Sequence, residues 1–107
     1  MPRVTQRAAA RRDLGEHFVY LAENAGPDTA ERFLTNAEAS FKDLAGQPMI
    51  GASVTLRPPE LAGLRKWRVK DFDNHLIFYL PRPDGVSILR VLHAASDWWG
   101  LLGIETG

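Results

Sequence analysis

The side chains able to do chemistry are concentrated in one stretch of this 107-residue sequence, Leu64–Ser96, LRKWRVKDFDNHLIFYLPRPDGVSILRVLHAAS. Arg65, Lys66, Arg68 and Lys70 come first. On an alternating strand, Arg65, Trp67 and Val69 share one face and Lys66, Arg68 and Lys70 the other. A guanidinium so placed can grip a phosphate or carboxylate through two parallel hydrogen bonds. A basic row is equally the ordinary protection of a sheet edge. Arg90 interrupts the apolar run VSILRVLHA, where a charge needs a partner or an exit to solvent. Asp71, Asp73 and Asp97 are the carboxylates expected to pair with it. His93 follows near the end of the same run. Such a histidine usually has a structural, hydrogen-bonded role, but it would suit acid–base work if it shared a cleft with Arg65 and Arg90.

Other chemistries find little support. There is no glycine-rich phosphate loop, no HExxH and no EF-hand pattern. Ser40, Ser53, Ser87 and Ser96 lie in no nucleophile-elbow context. The absence of cysteine removes disulfides, thiolate metal sites and thiol nucleophiles. His17, His75 and His93 are far apart in the chain, so no metal site is expected, and no cofactor. No apolar run is long enough to span a membrane. The opening MPRVTQRAAARR has charge without a following apolar core, so no signal peptide is expected and the cytoplasm is the expected compartment.

A net charge of zero argues against indiscriminate nucleic-acid binding, but it hides a segregation. Met1–Arg12 holds four arginines and no acid. Asp13–Asp43 holds seven acids against two bases, a net of −5, and Arg57–Arg90 seven bases against four acids, a net of +3. Helix solvation explains the acidic block; a basic face aimed at an acidic partner is the functional reading of the other.

The elements that must position these residues follow from periodicity. The chain is sized for one domain over 1–107 with one modest core. Leu64–Lys70, His75–Leu80 and Val86–Ala94 read as three strands, with turns at Phe72–Asn74 and Pro81–Gly85. HLIFYL is apolar throughout and should be central, and the charged strands on either side suit sheet edges. Arg3–Gln6 reads as a leading edge strand of the same sheet. From Arg7, Leu14, Phe18, Leu21, Ala22 and Ala25 gather on one helical face, with Arg11, Arg12, Glu16, Tyr20 and Glu23 mostly elsewhere. Asn24-Ala25-Gly26-Pro27 stops this helix. A second, from about Asp28 to Leu44 with an Asp28 or Thr29 cap, carries Ala30, Phe33, Leu34, Ala37, Phe41 and Leu44 as its apolar stripe. The short connection predicts an antiparallel hairpin roofing one sheet face. Met49–Gly63 reads as a wrapping loop tacked down by Ile50, Val54 and Leu56. The tail beyond Ala94 is apolar. Ser96 or Asp97 is placed to cap a short terminal helix, and Trp98 and Trp99 need burial on the sheet, in a dimer or under a partner.

The order β–α–α–β–β–β, with LRKWRV, HLIFYL and VSILRVLHAASDW, resembles the RelE/ParE superfamily of bacterial toxins from type II toxin–antitoxin systems, most closely the ParE branch. The specific part runs from Arg65 to Asp97, where Arg65, Phe78-Tyr79, Leu89-Arg90-Val91-Leu92-His93 and Asp97 match in type and spacing. The resemblance implies an α+β fold and a compact plasmid-stabilisation-type toxin, neutralised in a hetero-oligomer by a ParD-like antitoxin and acting on DNA gyrase without catalysis. RelE-like relatives instead cut mRNA on the ribosome; for that activity Arg65, Arg90 and His93 would be the catalytic groups. This chain has no tyrosine after Tyr79 and ends in Trp98-Trp99 where ParE proteins carry charge. A toxin whose activity is lost, leaving a protein-binding domain, is the third reading. The residues expected to meet target or antitoxin are Arg65, Trp67, Arg68, Tyr79, Arg90, His93, Trp98 and Trp99. They are expected on an open sheet face that is apolar and basic together, as interfaces are.

Overall fold

The computed structural model describes residues 2–54, 62–96 and 102. The elements run β1 (Arg3–Gln6), α1 (Ala8–Asn24), α2 (Pro27–Gly46), β2 (Ala52–Ser53), β3 (Arg65–Val69), β4 (Phe72–Arg82) and β5 (Gly85–His93). The strands form one mixed sheet in the order β1-β5-β4-β3-β2. β1 runs parallel to β5, and the other pairings are antiparallel. This is the expected α+β architecture, with Arg3–Gln6 at an edge.

The hairpin forms because two amphipathic segments are joined by Ala25-Gly26. Gly26 has φ 100°, a left-handed conformation that an L side chain resists, and Pro27 starts α2 where its missing N–H costs nothing. Gly26 itself occupies the N-cap position, with no side-chain cap. Asp28 therefore sits within the first turn of the helix, where it complements the dipole instead of capping it. Phe33, Ala37, Phe41 and Leu44 of α2 are buried against Val69, Ile77, Tyr79, Val86, Ile88 and Val91, and Ala30 is fully buried as well. Each large side chain buried this way contributes roughly 1.5–3 kcal/mol. α1 supplies Ala10 to this core, with Leu14 and Leu21 packed at its margin. Ile50 and Val54 do anchor the connecting segment, one on each side of the sheet; Leu56 lies outside the described residues.

Three expectations need correction. The turn between β3 and β4 is Lys70-Asp71, with Asp71 at φ 64°, and not Phe72–Asn74. Aspartate tolerates this conformation, while Phe72 is drawn onto Phe33, ring centroids 5.2 Å apart. The second turn shrinks to Pro83-Asp84, because Pro81 and Arg82 stay in register with Val86 and Gly85. Pro81 is tolerated there because β3 pairs with β4 only as far as Tyr79, so no neighbour needs its N–H. Gly85 is required because Arg3 backbone passes where a Cβ would stand. Finally, β5 is not an edge: it lies between β1 and β4.

The largest correction concerns the second sheet face. Leu64, Phe78, Leu80, Leu89 and Leu92 form a cluster there, exposed by 5% at most, with Val54 beside them and Leu102 packed on it. The face expected to lie open is therefore sealed. Its apolar side chains are satisfied by the fold itself.

Candidate functional site

Arg65 opens β3 and pairs across the sheet with Tyr79. Alternation places both on the helix-facing side, with Trp67 and Val69. The Arg65 guanidinium donates to the carbonyl oxygens of Met49, at 3.2 Å, and Gly51, at 2.5 Å. The Tyr79 hydroxyl, in a fully buried residue, donates to Pro48 O at 2.7 Å and accepts from Gly51 N at 2.9 Å. Burial raises the Tyr79 pKa above its usual 10.0, so the phenol stays a neutral donor. Together the two side chains clasp the segment that leaves α2. Tyr79 is thus a structural bolt rather than a surface contact. Arg65 keeps its charge, because carbonyl oxygens solvate a cation without neutralising it. With Arg82 and the exposed Met49 it rims a groove floored by Val54, Leu64 and Leu80.

Trp67 and Arg68 lie where β2 has already ended, since β2 pairs only with Arg65 and Lys66. Arg68 lies 5.1 Å from the Trp67 ring centroid and 3.3 Å from the Asp73 carboxylate. Both side chains of that ion pair are more than half exposed, so it contributes little stability. Beside them a polar depression is formed with Ser40 and Asp43 of α2. Ser40, buried, ties the end of β3 to α2 by accepting from Lys70 N at 2.9 Å.

Arg90 does find a carboxylate, but it is Asp13 of α1. Nε and Nη2 donate to Asp13 Oδ2 and Oδ1 at 2.7 and 2.9 Å, and Val91 N donates to Oδ2 at 3.0 Å. Asp73 is engaged with Arg68, and Asp97 lies outside the described residues. The register slips between Phe78 and Tyr79, leaving Leu89 as an extra residue in β5. That bulge re-aims the side chains beyond it, so Arg90 can reach the helix while Ile88 and Val91 both face the core. A single buried aspartate inside α1, preceded by the exposed Arg11 and Arg12, gives no local signal that it would be the partner.

His93 sits at the other end of the sheet. It pairs with His75, which in turn meets His17 of α1: ring centroids are 5.2 Å apart for the first pair and 4.9 Å for the second. Phe33 and Phe72 close round His75 at 4.9 and 6.1 Å. His17 Nε2 donates to Val91 O at 2.7 Å, and His93 Nδ1 accepts from Ala95 N at 3.0 Å. His75 Nδ1 is buried and has no hydrogen-bond partner. Burial, reinforced by the two neighbouring histidines, lowers the His75 pKa to about 4. Among the described residues no cluster could hold a metal ion. The fold therefore stacks three histidines that sequence distance had separated, without making a metal centre of them.

Arg65, Arg90 and His93 do not converge. Arg65 stands opposite Tyr79 and His93 opposite His75, four residues apart along β4 and on opposite sides of it. At strand spacings this separates them by roughly 16 Å. Trp98 and Trp99 lie outside the described residues.

The comparisons fit this architecture. The family model described as "ParE toxin of type II toxin-antitoxin system, parDE" matches residues 4–98. This chain belongs to the ParE toxin family. A solved structure, "Chromosomal ParDE TA system from P. aeruginosa", superposes with a TM-score of 0.68 at 20% identity. The match covers 87% of this chain and 96% of that one. No curated protein matches the sequence significantly. The ParE match takes in both described α-helices and every described strand but for Arg3 at the start of β1, so the Asp13–Arg90 pair, the Tyr79 clasp and the histidine stack all lie within the family domain. No helix among the described residues of this ParE-family chain is long and apolar enough to cross a membrane.

Proposed function

We propose that this ParE-family chain is a cytoplasmic toxin held inactive in a hetero-oligomer by a ParD-like antitoxin, and that the released toxin inhibits DNA gyrase by binding it. The family match over residues 4–98 carries this reading. The separation of Arg65, Arg90 and His93 supports a binding mode of action over a nuclease, because phosphodiester cleavage needs its charge stabiliser and its acid or base at one phosphate. Arg90 is further committed to Asp13.

The groove rimmed by Arg65 and Arg82 is the part of the surface that suits an antitoxin. Its apolar floor and two cations would accept a segment with aliphatic anchors and acidic side chains. Trp67 and Arg68 extend the same rim along the open part of β3. Tyr79, fully buried, would support this rim from beneath, and Arg90 keeps 23% of its side chain exposed beside Asp13. Induced expression without the neighbouring gene tests the reading. Gyrase-linked DNA breaks with a DNA-damage response are expected. Rapid translation arrest with cleaved mRNA would point to the RelE-like reaction, and unimpaired growth to an inactive binding domain.

A further inference from the structure

The outward face of α1 carries a feature that the chain's own packing does not use. Val19 and Tyr20 are 53% and 63% exposed, although the helix already presents Ala10, Leu14 and Leu21 to the core. Gly15 stands one turn earlier on the same exposed face. A side chain there would meet nothing within 4 Å, so no internal contact requires a glycine. Glycine in a helix interior weakens the helix relative to alanine. What it gives in return is room for something outside the chain to approach closely.

Arg12, Gly15, Glu16, Val19, Tyr20 and Glu23 together line a shallow apolar groove along this face. Their numbers pair about a single midpoint between positions 17 and 18. Arg12 mirrors Glu23, Gly15 mirrors Tyr20, and Glu16 mirrors Val19. We propose that this face is a two-fold interface between two copies of the chain, with the α1 helices antiparallel. In that arrangement each Tyr20 ring lies over the partner helix at Gly15, and each Arg12 meets the other copy's Glu23 at the ends of the contact. Arg12 and Glu23 are eleven residues apart, about 16 Å along the axis, so both pairs can form at once. The same patch on both partners, matched to itself, is what a two-fold contact demands. Any one-face helical stripe mirrors about its midpoint in this way; what is particular to this chain is that the mirrored end positions, Arg12 and Glu23, carry opposite charges. One helix face is a small area, so association should be weak and concentration-dependent. The proposal does not depend on the target or antitoxin.

Sedimentation of the purified chain over a concentration series tests it. The wild type should show a reversible monomer–dimer equilibrium. Gly15→Leu should weaken it about tenfold or more, by filling the space for the tyrosine. Its melting temperature should be unchanged or higher, because the added side chain points into open space; Gly15→Ala should behave alike with a smaller effect. Arg12→Glu and Glu23→Arg should each weaken dimerisation, and the double variant should recover it. A monomer at every concentration, a Gly15→Leu protein that dimerises normally, or a double variant no better than either single one would each overturn the proposal. So would a face that binds only a different protein.

Discussion

Replacing Asp13 by alanine should be among the most damaging single changes in the helices. The carboxylate receives three hydrogen bonds, two from Arg90 and one from the backbone of Val91, while being only 5% exposed. Its loss leaves a guanidinium at 23% side-chain exposure without that partner and a buried N–H without an acceptor. Breaking a buried pair from one side costs about 3–5 kcal/mol. The access of Arg90 to water moves the expectation to the low end, near 3 kcal/mol, still a large share of the 5–15 kcal/mol typical of a domain. Removing both partners, as Asp13→Leu with Arg90→Met, should cost less than Asp13→Ala alone. The stranded charge is then gone, and only the Val91 N–H remains unpaired, at about 1–3 kcal/mol. Urea unfolding of wild type, both single variants and the double closes the cycle. A loss below about 1 kcal/mol for Asp13→Ala, or costs that simply add, would refute the view that this pair fixes α1 to the sheet.

The remaining predictions concern the other buried polar groups and the groove. His75 has a folded pKa of about 4 against 6.5 in a free chain, so between those values the unfolded state binds the extra proton. Stability should therefore fall as pH drops from about 6.5 towards 4, by up to about 3 kcal/mol, and the fall should flatten in His75→Phe; an unchanged pH profile in that variant would exclude His75 as its source. Tyr79→Phe strands Gly51 N and Pro48 O and should cost about 1–3 kcal/mol in denaturant melts, with faster hydrogen exchange around 48–51. Gly51→Ala should damage the same clasp, since its methyl would stand 2.5 Å from the Tyr79 hydroxyl and 2.8 Å from Lys66 O. Arg65→Glu with Arg82→Glu should weaken antitoxin binding by calorimetry at least tenfold and more strongly at low salt; equal affinity would move the antitoxin elsewhere.

Much of the architecture was legible in the sequence because it rests on periodicity. The α2 stripe, the Gly26-Pro27 break and the apolar HLIFYL strand each state their environment locally. What was not legible depends on tertiary placement. No local pattern distinguishes Asp13 from its exposed acidic neighbours, and only the bulge at Leu89 brings Arg90 to it. The histidine stack joins residues from α1, β4 and β5, so chain distance concealed it. The second sheet face was expected to be open because three strands and two helices leave one side uncovered. Leu64 and Leu102 instead pack there from outside the central strands. The basic residues stand out in the sequence as a group, but nothing local tells that Arg65 braces a loop while rimming a groove.

The most direct test of the central claim uses purified chain, purified gyrase and supercoiled DNA, with and without the antitoxin. The proposal predicts loss of supercoiling activity with accumulation of cleaved DNA, reversed by equimolar antitoxin, while mRNA on translating ribosomes stays intact. Gyrase working at its normal rate while ribosome-bound mRNA is cut would contradict it.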